Sequence, residues 1–212
     1  MRFLGLALLF AFGPYCFAQN WAVGVAGGYG IYRDATIKNA AGASADAGVG
    51  SRFAVGAVLT EDMYEHLGGE LRYTYRDGDP VLRSNGVQVN MDGVAHVVNY
   101  DFLFYGTPRR TRVRPFAAVG AGIKRYDATS RLAQPLDSFG TLTHAHQVEG
   151  MVSAGGGVKV ALGGRWLLRV DFRDYMTPFP ERLFHPLATS SVHGWLHDFV
   201  PTLGVDWTFG GR

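Results

Sequence analysis

Eight segments of the chain carry apolar side chains on every second residue, and this alternation constrains the fold more than any other feature. The clearest is 197–209, where Leu203, Val205, Trp207 and Phe209 alternate with polar or small residues. A period of two residues gives a β-strand one apolar face and one polar face. Amphipathic segments of helical period, which a soluble core of this size normally contains, are not evident in the sequence. The chain is therefore predicted to be all-β.

The connections between these segments alternate in length. Long connections at 34–50, 77–86, 127–143 and 178–195 follow the first, third, fifth and seventh segments, and the other connections are short. Short periplasmic turns, long external loops and an even strand number are typical of a transmembrane barrel. A barrel of ten strands remains an alternative if one of the long loops forms a strand pair of its own. Ser84-Asn85-Gly86 predicts a hairpin extension in the second long loop. The eight predicted strands span 20–32, 51–60, 67–76, 87–105, 113–126, 144–162, 165–176 and 197–209.

Composition agrees with strands that are only half apolar. The chain has 29 glycines and 18% charged residues, and its mean hydropathy is close to zero. Lipid cannot satisfy an open sheet edge, so membrane-spanning strands must pair all the way round. Eight strands enclose an interior only wide enough for side chains. We predict an eight-stranded antiparallel up-and-down transmembrane β-barrel covering residues 19–212.

The N-terminus has the pattern of a secretory signal peptide. Met1-Arg2 precede a short apolar run, a Gly13-Pro14 breaker and the small residue Ala18. We expect cleavage after Ala18, which makes 1–18 the signal peptide and removes Cys16. The alternative, an acylated lipoprotein cysteine, is disfavoured by the bulky residues before Cys16. Loss of Arg2 lowers the number of basic residues from 20 to 19, against 18 acidic residues in the mature chain. The sequence has no run of basic residues, so nucleic-acid binding is not indicated.

The end of the chain and two inner segments carry a family resemblance. Thr202, Gly204, Trp207 and Phe209 are spaced like the C-terminal signal that the barrel-assembly machinery reads. With the segments 114–122 and 169–175, the mature chain resembles the small eight-stranded outer-membrane barrels, the OmpA-type transmembrane domain and its OmpX/OmpW-like relatives. The resemblance implies a monomer in the bacterial outer membrane, in contact with lipid and inserted by the assembly machinery. It also implies external loops that could bind surface ligands.

The polar faces of the predicted strands carry charges of both signs. Unpaired charges in a narrow lumen would be costly, so we expect a hydrogen-bonded ion network, with Asp206 beside Arg169 and Arg173. The network is interpreted as a plug that stiffens the barrel, and the alternative is a gate whose ion pairs exchange partners. The predicted lumen charges are Glu70, Arg72, Arg76, Asp101, Lys124, Glu149, Lys159, Arg169, Asp171, Arg173 and Asp206.

Two further side-chain sets were considered for chemistry. His144 and His146 share a strand face, but Glu149 lies on the other face by parity, so neither a metal nor another cofactor is predicted. Hydrolase residue types occur together near the C-terminus, without the motif of an outer-membrane lipid deacylase. We do not predict an enzyme. The hydrolase residue types are Ser190, Ser191, His193, His197 and Asp198.

The sequence therefore predicts an integral outer-membrane barrel with a structural or surface-interaction role and a charged, largely filled lumen. A narrow porin or channel for small or hydrophobic solutes is the first alternative. A lipid-modifying hydrolase and a soluble periplasmic barrel are the others.

Overall fold

The computed structural model describes residues 20–33, 35–38, 44–50, 52–84, 87–90, 92–128, 134–136, 140–142, 146–178, 191–193 and 195–210. Within these ranges every regular element is a β-strand, and no helix is long and apolar enough to span a membrane. The predicted signal peptide, 1–18, lies outside the described residues. The strands are β1 (Asn20–Tyr29), β2 (Ile31–Arg33), β3 (Ala35–Lys38), β4 (Ser44–Val49), β5 (Phe53–Asp62), β6 (Leu67–Asp77), β7 (Pro80–Ser84), β8 (Val87–Asn90), β9 (Gly93–Tyr105), β10 (Val113–Ala128), β11 (Gln134–Leu136), β12 (Gly140–Leu142), β13 (His146–Gly163), β14 (Trp166–Pro178), β15 (Ser191–His193) and β16 (Trp195–Phe209).

The main sheet is a closed barrel of eight antiparallel strands, as the sequence predicted. The strands follow one another in the order β1-β5-β6-β9-β10-β13-β14-β16, and pairing of β1 with β16 closes the ring. The short β2 continues β1 beyond Gly30 and pairs with the same strand, β16. The seam runs from Trp21 opposite Phe209 to Gly28 opposite Thr202. No strand edge of the ring is left open, which is what a lipid environment requires.

The outer surface of the barrel is apolar and the inner surface is polar or small. On β1, Val23 and Val25 are exposed while Ala22 and Ala26 are buried. On β16, Leu203 and Val205 are exposed on the outer side. Because side chains alternate across a strand, one apolar band faces outward around the ring. The parity predicted from the sequence is therefore confirmed on these strands.

The long connections are more ordered than expected. Loop 34–50 was predicted to be irregular, but it contains β3 and β4. These strands join β15, β7 and β8 in a five-stranded sheet in the order β15-β3-β4-β7-β8. The long connections therefore do form strand pairs. Because this second sheet is separate from the ring, it adds no strands to the barrel, which has eight.

Two turns follow the predicted chemistry. Ser84 pairs with Val87, which closes the predicted hairpin extension over two residues. At the opposite end, Gly163 and Gly164 take φ angles of 131° and 58°, a region that favours glycine. That turn lets β13 reverse directly into β14.

Candidate functional site

The barrel interior gathers charged side chains from six strands. Because residues of one parity face inward, β6 directs Glu70 and Arg72 into the lumen and β14 directs Arg169, Asp171 and Arg173 there. Ten of the eleven charges predicted for the lumen are at most 3% exposed. These ten are Glu70, Arg72, Arg76, Asp101, Lys124, Lys159, Arg169, Asp171, Arg173 and Asp206.

Glu149 is the one predicted lumen charge outside the buried set. It lies near the long-loop end of β13, opposite Lys124 in the strand register. Its side chain is half-buried and accepts a hydrogen bond from the Gln147 amide at 2.5 Å. Glu149 therefore lies apart from the central ion pairs described below.

The central ion pairs cross the full width of the barrel. Strands β6 and β14 lie opposite one another in the ring, since three strands separate them in either direction. Arg72 Nη2 is 2.6 Å from Asp171 Oδ2, and Arg169 Nη1 is 2.6 Å from Glu70 Oε2. Arg173 Nη2 also reaches Glu70, at 3.4 Å. These side chains occupy the middle of the lumen and leave it filled at this level.

Two residues act as hubs of this cluster. Glu70 contacts three arginines, including its neighbour Arg72 at 2.8 Å, and accepts a hydrogen bond from Thr60 at 3.1 Å. Arg169 contacts three carboxylates: Glu70, Asp171 at 3.2 Å and Asp206 at 3.0 Å. Multiple partners of opposite charge compensate the cost of removing each group from water.

The remaining members of the central cluster differ in part from expectation. Asp206 was expected beside Arg169 and Arg173. It pairs with Arg169 and lies 3.7 Å from Lys159 Nζ, whereas Arg173 Nε binds Asp101 at 3.1 Å. The reason is register, because Arg169 and not Arg173 lies opposite Gly204 on β16, within reach of Asp206. Four carboxylates and four cations then balance in charge: Glu70, Asp101, Asp171 and Asp206 against Arg72, Lys159, Arg169 and Arg173.

An apolar layer separates the central cluster from a second ion group toward the long loops. The layer consists of Ala54, Val97, Met151, Tyr175 and Val200, each at most 3% exposed. Removing a charge from water into an apolar layer of this kind is energetically costly.

Beyond the apolar layer, Asp198 binds two cations at once. Its carboxylate pairs with Arg76 and lies 2.6 Å from Lys124 Nζ. Tyr32 packs under both cations, with ring-centroid distances of 4.9 Å to Arg76 and 4.6 Å to Lys124. Sequence reasoning did not place Asp198 in the lumen, although it shares its strand parity with Asp206.

Inward-facing glycines make room for these side chains. A Cβ atom on Gly30 would overlap the guanidinium of Arg76, and one on Gly24 would overlap the carboxylate of Asp206. The small inward faces noted in the sequence therefore coincide with the passage of long charged side chains.

At the rim of the barrel, Arg52 joins two acids of the second long connection. It binds Asp77 at 3.3 Å and Asp79 at 2.6 Å. The hydrogen bond to Asp77, followed by the charge of Asp79, raises the pKa of Arg52 above its ordinary value. The Arg52 side chain thus stays positively charged at any physiological pH.

Of the residues considered for hydrolysis, only His197 and Asp198 have described side chains, and these two do not come together. His197 Nδ1 is 2.8 Å from Asp174 Oδ2 on the outward face of the wall, while Asp198 points into the lumen because it is the next residue. For Ser191 and His193 only the backbone position in β15 is described, and Ser190 lies outside the described residues. The sequence-adjacent His197 and Asp198 therefore lie on opposite sides of the barrel wall.

Of the two histidines considered for metal binding, only His146 is described. His146 Nδ1 lies 3.1 Å from Asp127 Oδ1, and His144 lies outside the described residues. Among the residues that the structure describes, no group of three or more histidine, cysteine or acidic side chains could hold a metal ion.

The four residues of the predicted assembly signal lie on both faces of β16. Thr202 and Gly204 face the lumen, where Thr202 donates a hydrogen bond to Asp171 at 2.7 Å. Trp207 and Phe209 face outward and stack with ring centroids 5.6 Å apart. Trp166 of the neighbouring strand lies opposite Trp207 in register. The aromatic pair thus lies at the short-turn end of the seam, as expected for an interfacial girdle.

Several polar partners were missed from the sequence. Thr60, Ser153 and Thr202 each hydrogen bond to a lumen carboxylate. Arg114 pairs with Asp62 at 2.9 Å near the short turns. Strand parity could have placed all five inward, but only the closed ring determines which of them meet.

A closed eight-stranded antiparallel barrel with an apolar exterior and a filled, charged lumen is the architecture of the small outer-membrane barrels. Solved structures agree in fold. OprG from Pseudomonas aeruginosa superposes with a TM-score of 0.62 at 14% identity over 91% of this chain and 97% of that one. AlkL, solved in lipid bilayers, gives 0.52 at 16% identity with 91% of each chain covered. Neisserial surface protein A gives 0.51 at 12% identity over 90% of this chain and 97% of that one.

These likenesses confirm, at the level of the fold, the resemblance predicted from the sequence. No family model matches the sequence, and no curated protein matches it either.

Proposed function

We propose that the chain is an integral bacterial outer-membrane barrel with a structural or surface-interaction role, whose lumen is closed by its own ion pairs. The fold and its apolar outer band support residence in a membrane. Outer-membrane residence is further supported by the fold likeness to barrels of that membrane. In this proposal the short turns face the periplasm and the long loops face outward, as is usual for such barrels.

The observation that carries the closed-lumen proposal is the pair of direct contacts between opposite walls. Arg72 with Asp171 and Arg169 with Glu70 bridge β6 and β14 at 2.6 Å each. An ion could pass only if these contacts separated, and separation would leave charges unpaired in a buried site. The apolar layer around Met151 and Tyr175 adds a second barrier in series.

The outward sheet supports the surface-interaction part of the proposal. Three of the four long connections contribute strands to it, so the loops form a shared surface. Loops that are held by backbone pairing present a fixed shape to a partner, at lower entropic cost than mobile loops. The proposed partners are outer-membrane lipid, the barrel-assembly machinery during insertion and ligands of the external surface, with the barrel acting as a monomer and without catalysis.

Three measurements test the proposal. Expressed protein should fractionate with outer membranes and shift in mobility on gels when heated. The purified barrel should show no conductance in planar bilayers. Stepwise conductance would contradict the plug interpretation and favour a channel. Lipid A of expressing cells should keep its mass, and a loss of acyl chains would establish a hydrolase.

A further inference from the structure

A basic cavity opens at the short-turn end of the barrel, on the opposite side of the central cluster from the apolar layer. Its volume is about 420 Å³, and it is lined by five arginines and one lysine against a single acid, Asp62. The cations are Arg109, Arg110, Arg112, Arg114, Lys159 and Arg165. A concave site lined by one sign of charge concentrates its field and attracts ions of the other sign.

The single acid of the cavity is already neutralised. Asp62 Oδ2 is 2.9 Å from Arg114 Nη1. Arg114 also stacks on Tyr105, 3.7 Å from its ring centroid. The Nε atom of Arg114 is nevertheless buried without a hydrogen-bond partner among the described residues. The wall of the cavity thus holds a fixed guanidinium with one donor unused.

Three arginines at the entrance are free of carboxylate partners. Among the residues that the structure describes, Arg110, Arg112 and Arg165 make no ion pair. Their turns are nonetheless anchored, because the Arg109 side chain donates to the backbone oxygens of Asp62 and Tyr64 in the neighbouring turn. Ala161 N donates to the backbone oxygen of Arg112 at 2.8 Å. The entrance charges therefore stand on fixed backbone.

The floor of the cavity carries an incompletely paired cation. Lys159 is 3% exposed, and its Nζ lies 3.7 Å from Asp206 and 3.4 Å from Thr60. Both distances are longer than an optimal charge-assisted hydrogen bond. The ammonium thus keeps donor capacity toward the cavity.

We infer that this cavity is a binding site for a phosphate group. Planar guanidinium groups match phosphate oxygens in bidentate geometry, and a lysine at the floor adds a compact charge. The volume suits a small compact anion or a single headgroup. A free phosphate and the headgroup of an anionic phospholipid present the same chemistry. The site uses none of the wall-to-wall contacts that close the lumen, so it is independent of the proposed function.

The first test is calorimetric titration of the purified full-length barrel, in a neutral detergent, with inorganic phosphate. The mouth variant is R110Q/R112Q/R165Q, which alters no described ion pair. The control is R33Q/R83Q/R125Q, which removes the same charge at the long-loop end. We expect the mouth variant to bind phosphate about tenfold or more weakly, since it lacks three guanidinium groups that can donate charge-assisted hydrogen bonds to phosphate. The control should bind like the wild type.

The second test distinguishes the source of the phosphate. The barrel is reconstituted into two kinds of nanodisc, one of phosphatidylcholine alone and one of phosphatidylcholine mixed with phosphatidylglycerol. It is then released from the nanodiscs and examined by native mass spectrometry for bound lipid. Retained phosphatidylglycerol that the mouth variant loses and the control keeps assigns the site to a headgroup. Binding of inorganic phosphate with no retained lipid assigns it to a free anion. The inference is overturned if the wild type binds neither probe, or if the mouth variant and the control bind equally.

Discussion

Arg72 on β6 and Asp171 on β14 meet at 2.6 Å across the lumen, although 99 residues separate them in the chain and their strands lie on opposite walls. The contact spans the barrel without water between the two groups. It is joined on both sides by the hubs Glu70 and Arg169, so charged side chains of β6, β9, β13, β14 and β16 share one interior network. The predictions below test what this network contributes to stability and to closure.

Replacing the hub carboxylate should destabilise the barrel strongly. Glu70→Gln keeps the shape of the side chain but removes the charge that Arg72, Arg169 and Arg173 share. Loss of one partner from a buried ion cluster costs about 3–5 kcal/mol. Urea unfolding in lipid vesicles, followed by gel mobility, measures the change. The control Glu61→Gln, whose carboxylate accepts a bond from Tyr100 on the exposed outer wall, should stay within about 0.5 kcal/mol. Equal stabilities would show that the charge of Glu70 is not needed.

Truncation of the opposed side chains should open a conducting path. E70S/R72S/R169S/D171S removes two acids and two bases, so net charge is unchanged while the contacts between β6 and β14 are lost. Planar-bilayer recording should then show conductance that the wild type lacks. The rim variant R52S/D79S, which removes a 2.6 Å ion pair outside the lumen, should remain silent.

A milder variant guards against misfolding of the quadruple substitution. E70S/R169S removes both hubs, and its heat-dependent mobility shift reports folding before recording. If both lumen variants fold correctly and neither conducts, the barrier to ions would be assigned to the apolar layer.

Gly30, which lies between β1 and β2, should be sensitive to a single added methyl group. Gly30→Ala places a Cβ where the Arg76 guanidinium lies, which should weaken its pairing with Asp198. Overpacking of this kind costs about 1–3 kcal/mol. Gly27→Ala, three residues earlier on β1, is the control, because a Cβ there meets no atom within 4 Å. Similar unfolding midpoints for the two variants would contradict the close approach of Arg76.

The aromatic end of β16 should matter for assembly in cells more than for stability. Phe209→Ala removes one ring of the stack with Trp207. Phe199→Ala, also on β16, removes one ring of the stack with Phe172 of the neighbouring strand β14. Refolding into vesicles should be affected to a similar extent in both. In cells, only Phe209→Ala should lower the heat-modifiable fraction in the outer membrane. A matching loss for Phe199→Ala would remove the special role of Phe209.

Strand parity made the barrel and most of its interior predictable from the sequence. Alternation alone distinguishes Val23 from Ala22, and Leu203 from Thr202, because a strand has only two faces. It also put Asp206 and Arg169 in one compartment. Asp198 was overlooked because it was considered with His197 as a hydrolase residue, whereas its parity with Asp206 already places it inside.

The partners of these side chains could not be predicted in the same way. Whether Asp206 meets Arg169 or Arg173 depends on the register of β14 against β16, which the whole ring determines. The outer sheet was missed for a related reason. Alanine, glycine and aspartate dominate β4 and have little intrinsic strand preference, so their pairing follows from tertiary contacts with β3 and β7.

The pairing of β1 with β16 indicates which contacts of the ring form last during folding. The seam begins where Trp21 of β1 lies opposite Phe209 of β16. It continues where β2 pairs with β16, and beyond the barrel where β3 pairs with β15, as far as Lys38 opposite Ser191. Every other neighbour pair in the ring is joined by one connection, but this pair is joined only through the rest of the chain. Its contacts therefore carry the largest loop-closure entropy of the molecule. The ring should close last, and until that moment β1 and β16 each present one edge of unpaired backbone while their other edges pair with β5 and β14. The open intermediate thus exposes two sheet edges as long as the seam, which another strand could pair with temporarily.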